Sequence, residues 1–220
     1  MSSKNLNRNP KGHNQWSIRT NIEIQKIINS KPSYWTNKFF KTFFFISLLV
    51  LNTNLSHSEN SLVQDLRVGK KIVFLRHAIA PGNGDPNDFD INDCKTQRNL
   101  SQKGRSQSKK IGNFFKINNI KIDKVLSSEW CRCKETAKIA FENFQTFNAL
   151  NSFYEARFAK NKSKQIEDLK NFINSWDSDS NLIIVTHFVV ISELLNKGAS
   201  SGEMIITDKK LKILGNLQIN

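Results

Sequence analysis

The chain has 220 residues, with 33 Lys+Arg against 19 Asp+Glu and a formal net charge of +14. A 38% hydrophobic and 10% aromatic share can build a packed core, and nine Gly with four Pro exclude collagen-like or low-complexity chains. Three cysteines are too few for a disulfide-rich miniprotein and lack zinc-ribbon spacing.

A charge this basic raises nucleic-acid binding, so its distribution matters first. Residues 1–58 hold eight cations and one anion, and 59–220 hold 25 cations and 18 anions, so each part carries +7. Residues 1–36 are a polar, Asn-rich extension of unclear status. Within 37–58, Lys38 and Lys41 precede the apolar run 43–51, and Leu55-Ser56-His57-Ser58 puts small residues near a cleavage point. That order predicts a signal peptide or signal anchor. Residues 59–220 are then one domain that is periplasmic or secreted, touching a membrane only through an uncleaved leader. Its lysines are scattered among acids without aromatic interleaving, so no nucleic-acid partner is expected. Nothing in the sequence sets the oligomeric state.

Lys71–Leu75 is a short branched apolar run and predicts a buried strand. Residues 78–99 carry Pro81, Gly82, Gly84, Asp85 and Pro86 and predict a long loop. Ser101 caps a helix with Ile111, Phe114 and Phe115 on one face. Val125–Ser127 is a second strand, and Ala137, Ala140, Phe141 and Phe144 have helical spacing. Ile166, Leu169, Ile173 and Trp176 mark another helix, 177–180 a turn, and Leu182–Thr186 the second strong strand. A helix over 189–197 and strands near 203–207 and 211–214 close the chain. This alternation predicts α/β with a mostly parallel sheet.

Ligands of such sheets bind beyond the carboxyl ends of the strands. Arg76 and His77 follow the first strand, His187 follows 182–186, and Arg132 stands five residues after Ser127. Both histidines of residues 59–220 occupy such positions.

Four blocks then stand in order. Leu75-Arg76-His77-Ala78 resembles the Arg-His-Gly signature of the histidine phosphatase superfamily, with Ala78 replacing the Gly. Residues 100–107 (LSQKGRSQ) are similar to its Leu-Thr-x-x-Gly-x-x-Gln helix start. Residues 127–137 (SSEWCRCKETA) are similar to Ser-Ser-x-x-x-Arg-x-x-x-Thr-Ala, and Val185-Thr186-His187 to the second-histidine strand end. Ala78 with Ala80 is similar to a short bacterial branch that includes protein phosphohistidine phosphatases. The resemblance implies a phosphoglycerate mutase-like three-layer sandwich, its mixed, mostly parallel central sheet flanked by helices.

It also implies a phosphomonoester hydrolase with His77 as nucleophile, Arg76 and Arg132 holding phosphoryl oxygens, and His187 as a further donor. No cofactor and no metal are expected, and the partner is a small phosphorylated substrate, a sugar phosphate suiting export best. The alternatives are a non-catalytic phosphate-binding member, or a protein-phosphohistidine phosphatase if the leader does not function. The general acid is open: Glu155 is the nearest carboxylate in the mutase-like position, and Asp85, Asp88 or Asp93 could also reach the pocket. Asn83 lies where mutase-like members have a phosphate-contacting Asn. In an oxidising compartment Cys94 could pair with Cys131 or Cys133 and tie the loop to the arginine segment.

Overall fold

The computed structural model describes residues 60–219. The extension 1–36, the segment 37–58 expected to be a signal peptide or anchor, and its apolar run 43–51 lie outside them. Among the described residues no helix is long and apolar enough to cross a membrane.

The elements are α1 (60–68), β1 (Ile72–Arg76), α2 (Gln102–Ile117), β2 (Ile122–Ser127), α3 (Cys131–Phe141), β3 (Gln145–Thr146), α4 (Lys162–Ser175), β4 (Asn181–Thr186), α5 (Phe188–Leu195), β5 (Glu203–Thr207) and β6 (Ile213–Gln218). The six strands form one mixed sheet in the order β3-β2-β4-β1-β5-β6. Strands β3, β2, β4 and β1 run parallel, β5 pairs antiparallel with β1, and β6 pairs antiparallel with β5. The runs 72–75 and 182–185 are wholly buried because they form the sheet's two central strands.

Side chains alternate across the sheet and make two cores. Val73, Leu75, Ile183, Val185, Met204 and Ile206 pack with Leu62 and Leu66 of α1 and with α2 and α3. Ile72, Phe74, Ile184 and Ile205 face the other way, onto Leu169 and Ile173 of α4 and Val190 and Ile191 of α5. Each fully buried Leu or Ile contributes about 1.5–3 kcal/mol over an exposed one, so the central strands anchor both layers.

Three elements depart from the sequence expectation. The α3 helix stops at Phe141 because Glu142 adopts φ 67°; Phe144 lies beyond the helix yet still packs on the first core. Trp176 caps α4 in extended conformation, its indole N–H donating to Asp123 at 2.9 Å. The last strand begins at Ile213, because Asp208 first closes a turn by accepting from the amides of Lys210 and Lys212. The α2 start is as expected: the Ser101 side chain accepts from the Gly104 amide.

Candidate active site

Strands β1 and β4 pair in parallel with Arg76 opposite Thr186, so the next residues, His77 and His187, leave the sheet side by side. The His77 amide donates to the Thr186 carbonyl at 2.9 Å, and the two imidazole centroids are 5.5 Å apart. Both residues are only 2% exposed.

His77 Nδ1 lies 2.8 Å from the Ala78 carbonyl. A carbonyl only accepts, so Nδ1 carries the hydrogen and Nε2 keeps its lone pair. Burial, then the Arg132 charge, push the His77 pKa well below its ordinary value, with Arg76 and Arg98 adding to the effect and the Ala78 carbonyl opposing it. His77 is a neutral imidazole with one nucleophilic nitrogen.

Arg132, in the first turn of α3, is 3% exposed. Its Nη1 donates to both Asp85 oxygens, at 2.8 and 3.1 Å, and its Nη2 lies 3.5 Å from His187 Nδ1. Arg76 Nη1 donates to the Ala199 carbonyl at 2.9 Å, and its guanidinium carbon lies 5.3 Å from the Phe188 ring centroid. The Nε atoms of both Arg76 and Arg132 are buried without a hydrogen-bond partner. Buried donors are almost always paired, so two orphaned N–H groups beside two neutral imidazoles mark a place for an anion.

The other candidates sit differently. Asp85 comes from the long loop to Arg132, the Trp130 indole N–H and the Arg98 amide. Burial pushes its carboxyl up, but the Arg132 hydrogen bond and charge, with those two donors, more than reverse this and hold it below the ordinary value. A carboxylate held so low is not a proton donor at neutral pH. Glu155 Oε1 accepts from the Asp85 amide at 2.8 Å and Oε2 pairs with Arg157, and no hydrogen bond joins it to Arg76, His77 or His187. Asp93 caps the short turn Cys94–Thr96, and Asp88 and Asn83 are exposed on the loop. Asn83 makes no hydrogen bond to Arg76 or Arg132, whose side chains bond Ala199, Asp85 and Arg98 instead.

Several site residues had no separate signal in the sequence reading. Arg98 donates to the Ala80 carbonyl and, through Nε, to the Gly84 carbonyl at 2.9 Å, folding the loop's two ends together. Thr136, inside the arginine block, accepts from the Ala78 amide at 3.1 Å and donates to the Arg132 carbonyl at 2.7 Å, which joins the His77 turn to α3. Gln107 accepts from the Ile79 amide and donates to the Ser201 carbonyl. Ser128 and Asn151 stand behind His187. Cys94 and Cys131 form a disulfide with a Cα–Cα distance of 5.7 Å, tying the loop to the start of α3. Cys133 is a buried free thiol, pushed up to about 12 chiefly by burial. Among the described residues no three His, Cys, Asp or Glu side chains gather as metal ligands.

Among solved structures, the protein histidine phosphatase SixA complexed with tungstate is similar, with TM-score 0.50 and 13% identity over 67% of this chain and 96% of that one. An Escherichia coli protein named as an alpha-ribazole-5'-P phosphatase gives TM-score 0.53 and 16% identity over 69% of this chain and 100% of that one. These likenesses concern the fold, a mixed six-stranded sheet flanked by helices. No curated protein matches the chain in sequence. The family model described as "Histidine phosphatase superfamily (branch 1)" matches residues 72–182, half of the chain, and the chain belongs to that superfamily.

Proposed function

We propose that this protein is a phosphomonoester hydrolase of a short exported branch, working through a phosphohistidine on His77. The observation that carries the reading is the pair of orphaned guanidinium N–H groups, Arg76 Nε and Arg132 Nε, next to a neutral imidazole whose tautomer leaves Nε2 free. In this reading His77 Nε2 attacks phosphorus, the P–O ester bond breaks, and the leaving oxygen takes a proton. Arg76, Arg132 and His187 hold the nonbridging oxygens. Water then attacks phosphorus, the N–P bond breaks, and inorganic phosphate leaves with His77 restored. With Asp85 committed to Arg132, Glu155 is the nearby carboxyl proposed as proton donor, its side chain 22% exposed and bonded beside the Asp85 segment.

The substrate proposed is a phosphorylated sugar or another small phosphoester. Tyr154 and Phe188 support this: they are 48% and 38% exposed, their rings are 5.7 Å apart, and Phe188 lies against Arg76. Two exposed aromatic rings beside a phosphate-holding arginine suit the body of a small organic ester. A location outside the cytoplasm is supported by the leader-like segment before residue 59 and by the Cys94–Cys131 bond.

The test is hydrolysis of p-nitrophenyl phosphate without added metal, followed by trapping of an acid-labile phosphoenzyme. His77→Ala is expected to lower kcat by more than about 10³-fold. Undiminished turnover in that variant refutes the reading.

A further inference from the structure

Behind His187 lies a hydrogen-bond chain whose direction can be worked out from its outer end. The Asn151 amide nitrogen donates to Glu129 Oε2 at 2.6 Å, while Asn151 Oδ1 accepts from the Glu129 amide at 2.9 Å. Exchanging the amide's nitrogen and oxygen would break both bonds, so Oδ1 is fixed as the atom facing Ser128. Ser128 Oγ is 3.1 Å from that oxygen. A hydroxyl has one hydrogen, and an amide oxygen can only accept, so Ser128 donates to Asn151. Ser128 Oγ is then an acceptor on its other side, toward the Trp130 amide and toward His187 Nε2 at 2.9 Å. His187 therefore carries its hydrogen on Nε2, and its Nδ1 presents a lone pair beside Arg132 Nη2.

We propose that Glu129, Asn151 and Ser128 are positioning residues that hold His187 in the Nε2–H form, so that binding a fully deprotonated tetrahedral oxyanion draws one proton onto His187 Nδ1. The inference rests on the phosphoryl-site reading above. The proton balance is simple: the free site holds neutral His187, the bound site holds an imidazolium donating Nδ1–H to the anion and Nε2–H to Ser128, and the proton comes from solvent. The groups facing His187 are Arg132, Cys133 with its sulfur 3.5 Å from Nε2, Ser128, the Trp130 and His77 rings, and the charges of Arg76 and Arg98; the first turn of α5 holds no acid. The three arginines, offset in part by the Asp85 carboxylate on Arg132, keep the ring neutral until an anion arrives. Ser128 is fully buried, and Glu129 and Asn151 are half-buried beside a cleft lined by Ser152 and Gln165.

The test is calorimetric titration of the whole protein with tungstate, an anion that carries no proton between pH 7 and 9. Buffers of different ionisation enthalpy read the proton uptake. In the unmodified protein, uptake of about one proton is expected, with affinity falling about tenfold per pH unit. In Ser128→Ala and Asn151→Leu the ring is free to present Nδ1–H without a new proton, so uptake falls below about half and the pH slope flattens. Ser128→Thr, which keeps the hydroxyl, retains both. Nitrogen NMR of the free protein reads the tautomer directly, with His187 expected as Nε2–H. Tungstate binding without proton uptake, full uptake in Asn151→Leu, or an Nδ1–H signal for His187 overturns this proposal while leaving the phosphoryl site standing. Absence of tungstate binding overturns the phosphoryl-site reading and this proposal together.

Discussion

Asp85 and Arg132 form an ion pair at 2.8 Å with both side chains only 3% exposed, inside the site that Arg132 would share with a phosphoryl group. The pair occupies one edge of the guanidinium and leaves Nε unbonded, so the carboxylate aims the arginine and offsets part of its charge.

Removing one partner of a buried pair strands the other. Asp85→Ala is expected to destabilise the protein by roughly 3–5 kcal/mol at pH 7, measured by urea unfolding. Because the folded carboxyl titrates below its unfolded value, its stabilisation is present above about pH 4 and is lost as pH falls through the folded pKa. The gap between the two proteins therefore closes in acid.

The two histidines set a different acid limb. Both are held well below the ordinary imidazole value, by burial first and Arg132 next. Their contribution is fully present above about pH 6.5, where the unfolded chain is also neutral, and declines below it as the unfolded chain takes up protons. Each costs about 1.4 kcal/mol per pH unit there. Unfolding at pH 7, 6 and 5 is expected to show a shallower slope for His77→Asn than for the unmodified protein.

If Glu155 is the proton donor, its loss should matter in proportion to how much the leaving group needs a proton. Glu155→Gln is expected to lower kcat on glycerol phosphate by about 10²-fold or more and to spare p-nitrophenyl phosphate, whose phenolate leaves unaided. Equal effects on both esters would place the residue in loop support only.

Thiol chemistry should separate the cysteines. Cys133 is buried and titrates near 12, so the folded protein should give almost no reaction with a disulfide reagent, and the unreduced, unfolded chain one thiol. Cys94→Ser opens a 37-residue separation and is expected to cost about 3–4 kcal/mol.

Gly104 shows why the second sequence block needs a glycine. An added Cβ would stand 2.2 Å from the Ile79 carbonyl oxygen, which accepts from the Ser101 amide at 3.0 Å. Gly104→Ala is expected to cost about 1–3 kcal/mol in thermal or urea unfolding, because backbone must move rather than a side chain.

What was legible in the sequence was what depends on local pattern. Residues 71–75 and 182–186 are apolar runs because those strands are central, and Arg76, His77 and His187 stood out by following them. Ser101 was readable as a cap because capping is local. Strand β3 was not: Gln145 and Thr146 are exposed and carry no apolar pattern. The end of α3 is not legible, because Phe144 keeps the helical spacing while reaching the core from beyond the helix. The Asp85 pairing could not be singled out among the loop's carboxylates, since it depends on a contact 47 residues away. The same holds for Asn151, whose role is set by Ser128, 23 residues earlier.

The pairing of β1 with β4 gives the site its scale. Arg76 and Thr186 are rungs of one ladder, so the separation of the two imidazoles is counted off in strand residues, like marks on adjoining rulers. Anything inserted between residues 78 and 180 leaves that count untouched, however large the loop or helix. Deleting one residue inside either strand would slide a histidine by about 3.3 Å and turn it to the opposite face. The spacing of the two histidines thus depends on length only in two stretches of five and six residues.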